Sequence, residues 1–518
     1  MLLLPMLLSP AGVAYAQVWH HGRLNELKNI RSGSVSPVAT AGNPSAGWHA
    51  VQAGWNYEKG DFHRADASSG KSELSLGVEE IEKTGKFSTA GHASYFNTKE
   101  FDRNWNSLLG NDPDNPYIIC DTLADNSVTE RFDIGGTVVW DFAPGWLAGA
   151  SVGLLTGTLS DNKDPRPKND VSRIPVLVGV ERTGTSWSAG FFGGAELFRS
   201  EFKYHIEDGL KAYRYYKMMG MGEFFAFSSS ESASAPREYA GSTITAGANV
   251  TLKFRHAANF TELAVKTGKE NARDGGSAYE WKGGDYSFMH FLIHDRLDLS
   301  GRLHHSLTLD ADVKLREGYW HDQKRMVDTE HGNITYFDVL SRYRNNDATR
   351  LSAGIDYRLS EPLEGLSSWA IGVGANFTSE ASTHYTDGDP HTQQWSMLTA
   401  GLNGWKTFHP GGSLLDLSAS VSVTLPMGDA VFDTGNSAPA KEDVTDRFVA
   451  PSFAYETSGK IAASLRADWV FPDVHGTKLS PGLFALGTLL KQTGSAPQYP
   501  AMEGSALYGL SMGAFMRF

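Results

Sequence analysis

From about residue 46 onward, polar and apolar residues alternate singly, in run after run, each closed by turn chemistry. The clearest run sets Leu415, Leu417, Ala419, Val421, Val423 and Leu425 against Asp416, Ser418, Ser420, Ser422 and Thr424. A second sets Ile244, Ala246, Ala248, Val250, Leu252 and Phe254 against Thr243, Thr245, Gly247, Asn249, Thr251 and Lys253. A third alternates Ile461, Ala463, Leu465, Ala467 and Trp469 with Ser464, Arg466 and Asp468. In 128–142, Val128, Phe132, Ile134, Val138, Trp140 and Phe142 share a face with Glu130 and Gly136. Successive side chains of a strand point to opposite faces, so a period of two makes a strand with one apolar side. The chain is all-β.

A soluble sandwich shows the same period, so the alternation must be weighed with other features. Beyond the N-terminus no stretch holds 18 consecutive apolar residues, which excludes a helical membrane protein. It does not exclude a membrane barrel, whose lipid-facing and lumen-facing residues average out, here to a mean hydropathy of −0.32. The polar faces carry Asp416, Asp468, Arg466 and Lys253, which a wet lumen tolerates and a packed core does not. Trp146, Trp187, Trp369, Trp395 and Trp469 fall near strand ends, where an interfacial girdle would place them. Short turns at Ala143-Pro144-Gly145, Arg182-Thr183-Gly184 and Leu299-Ser300-Gly301 alternate with long polar stretches at about 100–126, 159–171, 378–393 and 427–446. Together these predict a transmembrane antiparallel β-barrel over 46–518, with short periplasmic turns and long extracellular loops. Allowing about 24 residues per strand and its share of loop, about twenty strands are expected, within a range of 18–22. The alternation loses its parity around 204–240 and 320–350.

Both ends of the sequence bear on location. Tyr508, Leu510, Met512, Ala514, Met516 and Phe518 form one apolar row, and Tyr508, Leu510, Met512, Met516 and Phe518 are expected to act as the signal read by the barrel-assembly machinery. This strand must pair with the first, near Trp48 to Tyr57, to leave no edge in lipid. Residues 1–16 read as a signal peptide: a short apolar core, then Ala14-Tyr15-Ala16 before Gln17. No basic residue stands near Met1, so either the true start lies upstream or the signal is weak. Residues 17–45 are polar, and Leu24, Leu27 and Ile30 have helical spacing, suiting a short periplasmic or lumen-filling turn. That segment is too short for the plug of a TonB-dependent receptor. The outer membrane, with its lipid bilayer, is the expected location.

Chemistry is harder to find. A net charge of −13 without a basic stripe argues against nucleic acid as a partner. Cys120 is the single cysteine, which rules out a disulfide framework within the chain, and reads as a buried thiol in a loop cluster folded over the mouth. His304-His305-Ser306 is tempting as a hydrolase centre, but adjacent strand residues face opposite ways, so only His304 shares a face with Ser306, Thr308, Asp310 and Asp312. His321, Asp322, Glu330 and His331 could bind a divalent metal but follow no ligand spacing. The oxygen-rich runs Asn111-Asp112-Pro113-Asp114-Asn115 and Asp387-Gly388-Asp389 lack a closing Glu and read as turns. Gly372-Val373-Gly374 reads as strand glycine and not as a phosphate cradle. No catalytic, cofactor-binding or metal residue is therefore assigned, no cofactor is expected, and the chain is read as no enzyme.

Gly42-Asn43-Pro44, Gly60-Asp61-Phe62-His63-Arg64, Asn115-Pro116-Tyr117-Ile118 with Asp121, and the stretch Tyr213–Gly222 resemble an uncharacterised outer-membrane β-barrel family of the Bacteroidota. The resemblance implies a barrel of unassigned activity, often encoded near TonB-dependent receptors, and carries over no functional residue. The function expected is a transport-associated channel, or an accessory to a TonB-dependent uptake system. The alternatives are an outer-membrane hydrolase or a structural or assembly barrel that docks surface lipoproteins. The candidate partners are a TonB-dependent receptor or a surface lipoprotein.

Overall fold

The computed structural model describes residues 29–41, 47–229, 236–275, 280–330, 332, 334–362, 368–386, 388–435, 444–475 and 477–518. Ala14, Ala16 and Gln17, Leu24 and Leu27, Gly42-Asn43-Pro44, His331 and Asp387 lie outside the described residues.

The alternating runs pair in sequence order into a closed antiparallel barrel of 18 strands. The first nine are β1 Trp48–Gly60, β2 Gly70–Thr84, β3 Phe87–Arg103, β4 Asp125–Ala143, β5 Trp146–Asp161, β6 Pro167–Thr183, β7 Trp187–Tyr204, β8 Arg237–Lys253 and β9 Ala257–Asp274. The remainder are β10 Trp281–Ser300, β11 His304–Asp328, β12 Ile334–Ser360, β13 Trp369–His384, β14 His391–Phe408, β15 Leu414–Pro426, β16 Gly459–Val470, β17 Ser480–Thr493 and β18 Ala506–Arg517. β18 closes on β1 in the register Ala50↔Arg517, Gly54↔Gly513, Tyr57↔Leu510, so no strand edge faces lipid. Strand number sits at the lower edge of the expected range because residues are spent elsewhere. β11 and β12 run 25 and 27 residues, far more than the about 9–11 that span a bilayer. The described parts of the connections 205–236 and 427–458 also hold elements of their own, among them Tyr213–Gly220, Glu223–Ser229 and Ala450–Thr457.

The outward rows are the apolar ones: Tyr508, Leu510, Met512, Met516 and Phe518 on β18, and Ile244, Val250 and Leu252 on β8, are exposed. Lipid, rather than a second layer of protein, must cover them. Trp146, Trp187 and Trp469 are exposed at the rim carrying the short turns. Trp395 departs from the expected girdle. It lies at an odd position of β14, whose even positions such as Leu402 face lipid, and so it points inward onto Met397 and Phe453. Nearness to a strand end located it correctly along the axis but did not choose its face.

The two- and three-residue turns and both described ends of the chain share one rim, and the longest connections, 104–124, 205–236 and 427–458, share the other. Of the expected long loops, 104–124 and 427–458 are present, but 159–171 and 378–393 shrink to 162–166 and 385–390 because the flanking strands continue into them. The scrambled parity has two causes. Within 205–236 a hairpin, Tyr213–Gly220 and Glu223–Ser229, pairs with Ile119–Cys120 as a separate three-stranded sheet. In 320–350 the β11–β12 ladder shifts register at Gly318/Tyr319 and Asp322/Gln323, and each shift exchanges the faces of the residues beyond it.

Candidate functional site

Segments of the chain itself pack against the inward side of the barrel. Two layers can be distinguished.

The layer near the long-loop rim is built on loop 104–124. Arg173 of β6 donates through Nε to the Gly110 carbonyl (2.7 Å), and Glu270 of β9 accepts from the Asp112 amide and Asn115 Nδ2 (3.0 and 3.1 Å). Two strands further round the same arc, Lys314 Nζ of β11 meets Asp112 and Asp114 (3.0 and 2.7 Å), and Arg316 of β11 pairs with Asp114 (2.7 Å) and with Glu380 of β13 (2.6 Å). The loop is thus bolted to one arc of the wall, from β6 round to β11. Burial pushes the Asp114 carboxyl up, but Arg316 and Lys314 together outweigh it and hold the pKa at about 2. The oxygen-rich run that invited calcium therefore has protein cations against its carboxylates, and among the described residues no group of three or more His, Cys, Asp or Glu side chains is placed to hold a metal.

Beyond the bolts, Tyr117 is fully buried. Its carbonyl accepts from Arg237 Nη1 (3.1 Å) and Tyr239 OH (3.0 Å), and its hydroxyl bonds Asn345. Gly284, at φ +124°, makes room for the ring, since a Cβ there would lie 2.3 Å from it. Cys120 follows, 3.8 Å from the Tyr216 carbonyl, and burial pushes its thiol pKa well up. Asp121 is also buried, which raises its carboxyl to about 6 even though the Leu123 amide donates to it. The hairpin adds Tyr215, Tyr216 and Met218 to the two apolar clusters. Trp105 stacks between Tyr216 and Phe448, which brings the 444–457 segment into the same package.

That segment ends in a helix, Ala450–Thr457, pinned by the β1–β2 connection: Phe62 packs on Tyr455 (4.9 Å between centroids) and Arg64 pairs with Glu456 (3.1 Å). Gly60 lets the chain turn there, because a Cβ would meet the Ala506 carbonyl at 2.0 Å. Gly60–Arg64, Asn115–Asp121 and Tyr213–Gly222 thus all work inside or across the same mouth. The sequence marked these segments without showing that they meet.

The layer near the short-turn rim is residues 29–41. Arg31 makes a forked pair with buried Glu181 (2.8 and 3.0 Å) and also donates to Thr251 (3.1 Å). Ser34 Oγ and the Val35 amide donate to buried Glu262, and Arg296 donates to the Asn29 carbonyl (3.2 Å). A helix at Pro37–Ala41 then packs Val38 and Ala41 on Val139 of β4. The described part of this segment thus rests on side chains of β4, β6, β8 and β9.

The tempting histidines are not assembled for catalysis. His304 and His305 face opposite ways, His304 buried and His305 bonded to exposed Tyr357. Asp298 gathers Arg296 (2.9 Å), His304 (3.7 Å) and Ser306, and among the described residues no hydrogen bond runs from Ser306 to His304. His321 pairs with Asp285 (3.0 Å), while Asp322 accepts from Ser341 (2.6 Å), so those two are engaged separately. Gly372 and Gly374 are strand glycines beside Asn403 and Asp356. Arg466, Asp416 and Asp468 face inward and buried, Arg466 forking onto Asp468 (2.7 and 2.8 Å). Lys253 lies exposed at the end of its strand. The Arg31, Arg173 and Lys314 anchors went unremarked in the sequence, where an inward charge gives no sign of its partner.

By sequence, no curated protein matches the chain. Among solved structures, the RagAB peptide importer in its closed-closed state aligns over 92% of this chain and 87% of its own, at 7% identity and a TM-score of 0.39. The ferric preacinetobactin receptor BauA of Acinetobacter baumannii aligns over 91% and 80%, at 11% identity and a TM-score of 0.36. The copper transporter OprC aligns over 90% and 82%, at 9% identity and a TM-score of 0.38. No residue's role transfers across likeness this distant. Residues 37–515 match the sequence pattern of a family of unknown function, and on that match the chain belongs to the DUF6850 family.

Proposed function

We propose that this chain is an integral outer-membrane barrel that takes part in moving a solute across that membrane, working beside a TonB-dependent uptake system. In this reading its own segments hold it closed at rest. One observation carries the reading: the lumenal layers are attached to the wall through side chains and not through a barrel ladder, by ion pairs such as Asp112 and Asp114 to Lys314 and Arg316 and by apolar packing such as Tyr117 on Tyr239 and Tyr286. Such segments can leave without breaking a barrel ladder. Short turns then face the periplasm and the long loops face outward. The apolar row ending at Phe518 serves as the assembly signal, and a TonB-dependent receptor or a surface lipoprotein is the partner.

The test is conductance in planar bilayers, with co-purification from native membranes. Wild type is expected to conduct rarely, and D112N/D114N, which removes the charges bolting the loop to β11, to open more often by about tenfold or more. A TonB-dependent receptor should co-purify with the intact protein. Absence of conductance in both proteins, together with no partner recovered, would sink the proposal.

A further inference from the structure

β11 and β12 run on past the long-loop rim as a two-stranded arm. Their ladder continues from Trp320↔Tyr343 to Asp328↔Ile334, whereas β10 stops pairing with β11 at Tyr319 and β13 stops pairing with β12 at Asn346. Among the described residues, the arm therefore has an open edge on each side. The edge of β12 from Ile334 to Arg344 lies in line with the end of β13, where the Tyr385 amide still donates to the Asn345 carbonyl (2.8 Å).

The two edges are built differently. That of β11 carries Asp322, Lys324, Arg325 and Asp328, and Gln323 caps it by bonding the Lys282 amide and carbonyl (2.9 and 3.0 Å). Charges of this kind discourage another strand from adding. That of β12 carries Ile334-Thr335-Tyr336-Phe337-Asp338-Val339-Leu340, a run of β-formers with a single charge and neither Gly nor Pro. Tyr336 and Leu340 are exposed in it, and the register shift leaves Leu340 without an opposite residue on β11. Its two arginines, Arg342 and Arg344, stand at the base of the arm and are taken by Asp285 and by Glu317 and Asp347. One edge is thus guarded and the other left sticky, on a hairpin of a size that is only marginally stable in water by itself.

We propose that the open edge of β12 from Ile334 to Arg344 receives an extended segment of a partner polypeptide, which adds as a third strand in line with β13. The slot is about 35 Å long at the rise of a strand. A strand is the fitting occupant because an edge offers N–H and C=O groups at the spacing of another main chain. A second copy of this chain fits less well. Two copies in one membrane are related by an axis along its normal, so their arms would meet running the same way. Asp338 would then stand beside Asp338 and Arg342 beside Arg342, and like charges so placed are destabilising. The proposal gives the partner of the reading above its docking surface, and it rests on that reading.

The experiment uses the full chain in its native membrane, with the photoreactive residue p-benzoylphenylalanine in place of Asp338 and the adduct sequenced by mass spectrometry. The adduct should fall in one short segment of a different polypeptide. Its yield should drop about tenfold or more in Y336K/L340K, which charges the open edge, and persist in V327K, on the other strand. Y336K alone, less demanding to fold, should show a smaller loss in the same direction. Amides of 336–344 should also exchange about tenfold more slowly in protein extracted mildly from that membrane than in the chain refolded alone. An adduct with a second copy, with the chain's own residues or with lipid overturns the proposal, as does equal exchange in the two preparations or an unchanged Y336K/L340K. Failure of the transport reading would appear separately, in the conductance of the refolded chain and its D112N/D114N variant, where no partner is present.

Discussion

Single residues set the tightest constraints in the mouth. Gly284 combines a left-handed φ with a position 2.3 Å short of the Tyr117 ring, so Gly284→Ala is expected to cost about 2–4 kcal/mol in urea unfolding from vesicles. Gly136→Ala, where a Cβ meets nothing within 4 Å, should change stability by less than about 0.5 kcal/mol. Asp121 offers a test with a pH signature. Its folded pKa is raised from 3.8 to about 6, mainly by burial, so ionising it costs the folded state more than the unfolded. That penalty is absent below about pH 4, grows as pH rises through about 6 and is complete above it. Asp121→Asn should therefore stabilise the protein at pH 8, by up to about 3 kcal/mol, and leave it unchanged at pH 3. Labelling of Cys120 by maleimide reports the same loop and should slow at pH 8 in that variant. Equal effects of D121N at both pH values would refute the account. Little of this is legible in the sequence: it predicts a buried thiol at Cys120, but the residues that enclose it come from near 216 and 444.

Elements differ in how they are held. The strands are locked by continuous ladders, whereas residues 29–41 hang on side chains, above all the Arg31–Glu181 pair. Removing one partner of a buried pair leaves the other charge uncompensated, at about 3–5 kcal/mol. Arg31→Ala should therefore lower the local opening free energy of 36–41 by about 3 kcal/mol, seen as faster amide exchange there while the strands keep their protection. Uniform loss of protection along the barrel would show instead that the segment is part of the global fold. Most strands were readable from their alternation. The hairpin at 213–229 was not, because it pairs with Ile119–Cys120, about a hundred residues earlier, and follows the geometry of the lumen rather than a lipid face. β11 and β12 were blurred for a different reason: two register shifts reversed their faces, and a period-two pattern has no memory across a bulge.

At the scale of the whole molecule, alternation in the sequence determined that the chain forms a closed sheet with its apolar rows outward and its polar rows inward. Each strand carries that information locally, in the order of its side chains. It also determined the closure of the last strand on the first, since an unpaired edge in hydrocarbon is too costly to survive. Only the tertiary structure decided that the lumen is occupied. Asp114 finds Lys314 and Arg316, Arg31 finds Glu181, and Arg64 finds Glu456 across separations of 150 to 392 residues. An inward charge looks the same in a sequence whether it faces water or a partner, and the difference lies wholly in which strand the barrel brings opposite.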